Sequence, residues 1–145
     1  MEDMIIQSAM AEIALWDSFA QARGANATMF LALVIAVWVG ARFSSVMIDK
    51  GANLIGKVLC TAFAVGVFLM AFNLGGWISG TMEGHSAALA ALDVGNGDID
   101  IGAGSKGFID FVESGGNIVG IVGAWLFFVS GLLIAVLPLW INPND

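Results

Sequence analysis

The chain has 145 residues, of which 59% are hydrophobic and only 12% charged, and its net charge is −7. Soluble domains carry about 25% charged and 45–50% apolar residues, so an ordinary water-soluble globule is excluded. Without a basic patch, a nucleic-acid partner is excluded too.

Residues 1–25 predict an amphipathic helix. Ile6, Ala9, Ile13, Trp16 and Ala20 recur at helical spacing, Met10 and Phe19 broaden that stripe, and Asp3, Gln7 and Asp17 lie off it. The segment is too polar to cross a bilayer, and its acidic face repels anionic lipid. Two placements follow: in the membrane interface with Trp16 as an anchor at headgroup depth, or docked on a partner. No basic stretch precedes an apolar core, so no signal peptide is expected and Met1 is expected to remain.

Arg23-Gly24-Ala25-Asn26 predicts a break, with Asn26 as N-cap of the next helix. Residues 26–48 are the first expected span. Ala27 to Ala41 carry no charge, and the apolar character continues past Arg42 through Phe43, Val46, Met47 and Ile48. A hydrocarbon core of roughly 30 Å requires about 20 such residues. Arg42 lies near the end, where its long side chain reaches the interface as an anchor. Residues 49–56 form a short loop. Residues 57–78 are the second span, uncharged from Val58 to Ile78, with Trp77 as the anchor at its far end.

Residues 79–117 form the one sizeable extramembrane loop, glycine-rich and holding six acids. His85 to Leu92 reads as a short helix. Asn96-Gly97 is a turn signal, and the alternation Asp98-Ile99-Asp100-Ile101 suggests a small hairpin. Phe108 to Glu113 reads as an amphipathic turn, ended by Gly115-Gly116. Residues 118–141 are the third span, with no ionisable side chain and Trp140 as its interface anchor. Asn142 to Asp145 form a polar tail.

The expected fold is therefore an all-α membrane protein, a single membrane domain over 1–145. An N-terminal amphipathic interfacial helix precedes three transmembrane helices, with a structured acidic loop between the second and third. Arg42, Lys50 and Lys57 flank the first loop, against Arg23 and Lys106 on the other side. The positive-inside rule then places the N-terminus and the 79–117 loop outside and the C-terminus in the cytoplasm, in a membrane of prokaryotic cytoplasmic type.

Residues suited to chemistry are few. Asn96, Asp98 and Asp100, with Asp93 nearby, resemble the start of a calcium loop. The glycine, however, falls one place late at Gly102, and the twelfth position is Gly107 instead of Glu. His85 is the lone histidine; Met82 and Glu83 beside it complete a soft-metal contact, but no second nitrogen or thiolate lies nearby. His85, Asp98 and Asp100 are thus the weak metal candidates. Cys60 is a lone thiol, read as a small packing residue. No acid or histidine lies within the spans, where proton relays place them, so catalysis by this chain and a resident cofactor are not expected; bound lipids are.

The positive signal is small-residue spacing. Gly116, Gly120 and Ala124 share one face of the third span, repeated by Gly131 and Ala135, and Ala62 with Gly66 does the same on the second. Such faces let helix backbones approach closely in lipid. The leading expectation is a non-catalytic structural or accessory subunit of a larger membrane complex, its partners other membrane subunits or copies of itself. The alternatives are a homo-oligomeric channel or transporter subunit, with Thr28, Ser44, Ser45, Thr61, Asn73 and Ser130 as lining, and a metal- or cofactor-associated subunit using His85 and the acidic loop.

Overall fold

The structure, a computed structural model, describes residues 2–51 and 53–141; the expected polar tail at Asn142 to Asp145 lies outside them. Four helices follow in order: α1 (Glu2–Asp49), α2 (Leu54–Gly95), α3 (Ala103–Glu113) and α4 (Ile118–Trp140). Three of them, α1, α2 and α4, are long and apolar enough to cross a membrane. There is no strand among the described residues.

The expected break at Arg23–Asn26 does not occur. One helix runs from Glu2 to Asp49, so the two segments expected as an amphipathic helix and a first span are a single element. A lone interior Gly costs roughly 1 kcal/mol. Gly24 is flanked by Ala22, Ala25 and Ala27, all compatible with helix, and no proline enforces a stop. Asn26 is consequently helical instead of capping. The helix that carries the expected second span likewise does not stop near Ile78: α2 continues to Gly95 and absorbs the short helix expected at His85 to Leu92. At 1.5 Å per residue, 48 and 42 residues give lengths of about 72 and 63 Å, roughly twice the hydrocarbon thickness.

The helix ends are set by local chemistry. Lys50 and Gly51 close α1, with the Gly51 N–H bonded to the Ile48 carbonyl at 3.0 Å and Gly51 at φ +70°. Asn53 caps α2, its Oδ1 accepting the Gly56 N–H at 2.8 Å. The Asn96–Gly97 turn forms, with Gly97 at φ +63°. It leads into a short extended stretch and then α3, not into the expected hairpin. α3 stops in a Schellman motif: Gly115 N–H reaches the Val112 carbonyl at 3.0 Å and Gly116 N–H reaches the Phe111 carbonyl at 3.1 Å.

The chain divides into two compact units. One comprises Met1–Ala27 and Gly76–Ile118, the other Thr28–Gly75 and Val119–Asp145. The second unit is packed by small and apolar residues from three helices: Leu33 and Gly40 of α1, Ala64, Ala71 and Leu74 of α2, and Phe128, Gly131, Ala135 and Leu139 of α4 are buried. A Cβ on Gly131 would lie 2.5 Å from Val37 Cγ1, so α1 and α4 approach at a distance that only glycine permits. Across the same unit, the Trp140 indole N–H donates to Thr61 Oγ1 at 2.9 Å, and Thr61 donates to the Lys57 carbonyl at 2.8 Å. The first unit differs in kind: Ser8, His85, Ser86 and Ser105 are buried beside Leu89 and Ile101.

Candidate functional site

The polar interior of the first unit is assembled from three helices. On α1, Ser8, Glu12, Trp16 and Phe19 recur every three to four residues and so share one face. On α2, His85, Leu89 and Asp93 are spaced the same way. α3 contributes Ser105 and Phe108, and its first turn begins at Gly102. Gly102 has no side chain with which to cap that turn. Glu12 does so from α1: both carboxylate oxygens lie 3.1 Å from the Gly102 N–H, and Ser105 Oγ donates to Oε1. A carboxylate at a helix N-terminus is favoured by the unpaired N–H groups and by the helix dipole. The chain of contacts ends at Trp16, whose indole N–H donates to Ser105 Oγ at 2.9 Å.

Two further ties fix the segment between α2 and α3. Asp93 Oδ1 accepts the Ile101 N–H at 2.9 Å, seating Ile101 at 4% exposure. Asn96 Nδ2 donates to Ser8 Oγ. Lys106 meets Asp100 at 3.1 Å on the surface, and that hydrogen bond raises the lysine pKa.

His85 sits among aromatic rings. The Phe19 ring stacks on it, with centroids 4.3 Å apart and planes 11° apart, and Trp16 and Phe108 meet it edge-on at 4.6 and 5.2 Å. Arg23 lies 6.0 Å from the Phe19 centroid. His85 Nε2 is buried with no hydrogen-bond partner among the described residues. Burial lowers the imidazole pKa from its ordinary 6.5, because the cation is poorly solvated there.

The residues named from the sequence fall in several places. Trp16, expected as a lipid anchor, is held inside the first unit by Ser105 and His85. Asp98 is exposed and Asp100 is paired with Lys106, while His85 is enclosed by rings. Among the described residues no group of three or more His, Cys, Asp or Glu side chains is placed to hold a metal ion. Gly116 is not on the third span: at φ +69° it belongs to the turn that stops α3. Gly120, Ala62 and Gly66 are exposed and Ala124 is half-buried, whereas Gly131 and Ala135 are the small residues packed inside. Arg42, Trp77 and Trp140 are exposed. Of the polar residues considered for a pore lining, Ser44 is buried, and its Oγ has no partner among the described residues; Thr28, Ser45, Asn73 and Ser130 are exposed, and Thr61 is bonded to Trp140. Between the three helices of the second unit lies a cavity of about 10 Å³, bordered by Val37, Gly40 and Gly131 among others. It is the size of one water molecule.

Glu12, Ser8 and Ser105 are not apparent as site residues in the sequence, and Asp93 is apparent only as a neighbour of the acidic loop. The available signal is the spacing of Ser8, Glu12, Trp16 and Phe19, which puts a polar-aromatic face beside the apolar stripe. No family model, no curated protein and no solved structure matches the chain.

Proposed function

We propose that the chain is a non-catalytic subunit of a larger membrane assembly, joined to other subunits through its small-residue helix faces. The observation that carries this reading is the contrast between two sets of small residues. Gly131 and Ala135 are packed inside the chain, while Ala62 and Gly66 on α2 stay exposed. Lipid gives helices no hydrophobic reason to associate, so close-approach faces are where packing energy is available. The first unit supports the reading in a second way: its buried polar groups tie helices together. Ser105 is 1% exposed, and the Glu12 carboxylate is already occupied by donors.

The test is solubilisation in mild detergent followed by native mass measurement. The expected species contains this chain with other polypeptides; a lone stable monomer overturns the proposal. A homo-oligomeric pore is the second reading, favoured by Ser45, Asn73 and Ser130 on the exposed surface of span-length helices. The same measurement separates the two, since a pore built of copies gives an integer multiple of one mass. The metal-associated reading is the third, with His85 packed against rings and Asp100 paired with Lys106, and elemental analysis of the purified protein tests it.

The proposed orientation keeps the first unit outside and the loop carrying Lys50 in the cytoplasm. That residues 1–27 and 76–118 pack in one unit supports a common side for both. Labelling of a thiol introduced at Asp98 by an impermeant maleimide on intact cells, in a Cys60→Ser background, is the check. Labelling only after lysis reverses the assignment.

A further inference from the structure

The first unit packs one face of α1 and leaves the opposite face open. Ser8, Glu12, Trp16 and Phe19 point inward, while Ile6, Met10 and Ile13 are 53%, 66% and 68% exposed. These three are spaced four and three apart, the spacing of a helix-pairing seam. The same spacing continues to Asp3 at one end and Asp17 at the other, both exposed. The result is a short apolar stripe with a carboxylate at each end. The unit around it carries ten carboxylates against Arg23 and Lys106, a net −8.

These charges decide among the occupants. A second copy paired in parallel sets Asp3 against Asp3 and Asp17 against Asp17. Paired antiparallel about Met10, it sets Asp3 against Asp17. Like charges meet in either orientation, and juxtaposing them is strongly unfavourable. Lipid fares no better, because burying the stripe at the acyl boundary draws both carboxylates down with it and no cation flanks the stripe to meet anionic headgroups. A helix of another protein, apolar in its middle and bearing Lys or Arg at both ends, satisfies the stripe and both carboxylates together.

We propose, resting on the subunit reading above, that the Ile6–Met10–Ile13 stripe of α1, closed by Asp3 and Asp17, docks an apolar helix of a different protein flanked by basic residues. Register comes from the end charges and affinity from the apolar centre.

The probe is a synthetic amphipathic helix with leucines at three-and-four spacing and a lysine beyond each end. It is titrated against the full chain in phosphatidylcholine nanodiscs. Saturable binding is expected, absent from empty discs and from a peptide of the same composition with its leucines scrambled. Ile13→Glu makes the unit more acidic, so attraction by charge alone would tighten binding; the docking face predicts that it weakens about tenfold, a change of roughly 1.4 kcal/mol. Met10→Glu is the second variant, should the first fail to fold, and Asp17→Lys weakens binding as well. Unchanged or tighter binding to Ile13→Glu and Met10→Glu, or equal binding of the scrambled peptide, overturns the proposal. In a Cys60→Ser background, the thiol of Met10→Cys is expected to react with a water-soluble maleimide and to be protected by the peptide. A disulfide-linked dimer through that thiol identifies a second copy, and protection by lipid alone identifies the bilayer; either overturns it. A hetero-assembly that survives Ile13→Glu intact removes this face and leaves the subunit reading standing. A lone monomer removes that reading, and the peptide titration then still decides the face.

Discussion

Glu12 does for α3 what the helix cannot do for itself. Its carboxylate receives the Gly102 N–H and the Ser105 hydroxyl, so removing it leaves the helix start uncapped and the buried Ser105 O–H without its acceptor. Glu12→Ala is expected to destabilise the seating of α3 by about 2 kcal/mol, with Glu12→Gln recovering part, on the usual scale for charged hydrogen bonds and caps. Hydrogen exchange of the amides at 102–106 is the check: unchanged protection in Glu12→Ala would show that the carboxylate holds nothing. His85 makes the complementary point, a polar group enclosed by rings. Its folded pKa lies below the ordinary value, so the unfolded chain binds the proton more readily. Stability is therefore complete above pH 6.5 and falls as the pH drops from there toward the lowered folded pKa. Within the first unit, the charged groups on the helices around it are Glu2, Asp3, Glu12, Asp17 and Arg23 of α1, Glu83 and Asp93 of α2, and Lys106, Asp110 and Glu113 of α3. Melting followed by tryptophan emission at pH 7.5 and 5.5 is expected to show the loss in the parent chain and a flatter response in His85→Phe. An equal slope in both would move the effect to the carboxylates.

At the level of helices, the second unit distinguishes two kinds of glycine. Gly131 faces Val37, a stiff β-branched side chain, with no room for a methyl group. Gly131→Val is expected to cost about 1–3 kcal/mol by overpacking and to lower the melting temperature of the chain. Gly66 has nothing within 4 Å of the place a Cβ would take. Gly66→Ile is expected to leave the isolated chain equally stable and to reduce the assembled fraction in native mass measurement. If Gly66→Ile assembles normally, that face does not carry a subunit contact. The same helices show what a sequence discloses. The three apolar runs and the stops at Gly51 and Gly115–Gly116 were legible, because length in lipid and left-handed backbone are local demands. The continuity of α1 through Gly24 was not, because one glycine costs too little to override helix formation on both sides. Glu12 and Ser105 were illegible for a different reason: each is an ordinary polar residue, and their relation exists only once α3 is folded against α1. The apolar stripe of α1 was legible as a stripe, but not the division that turns Trp16 inward and leaves Ile13 out.

Across the whole molecule, charge and chemistry are partitioned. The second unit holds Arg42, Lys50 and Lys57 and packs through small and aliphatic residues, while the first holds all but two of the twelve acids. The hydrogen bonds that close the first unit join residues far apart along the chain: Ser8 with Asn96 is separated by 88 positions, Trp16 with Ser105 by 89 and Glu12 with Ser105 by 93. Such long-range closures form late, since the loop entropy must be met before the contact rewards it. During synthesis the first 27 residues therefore emerge long before their hydrogen-bonding partners exist, and both α1 and α2 are complete before Ser105 is made. Until then the face of Glu12 and the Trp16 indole N–H has nothing from α3 to bind. A nascent chain halted at Gly102 is accordingly expected to be cut near Trp16 by an added protease, and one extended beyond Glu113 to resist it. The completion of α3 is in that sense the step that covers the inner face of the N-terminal helix.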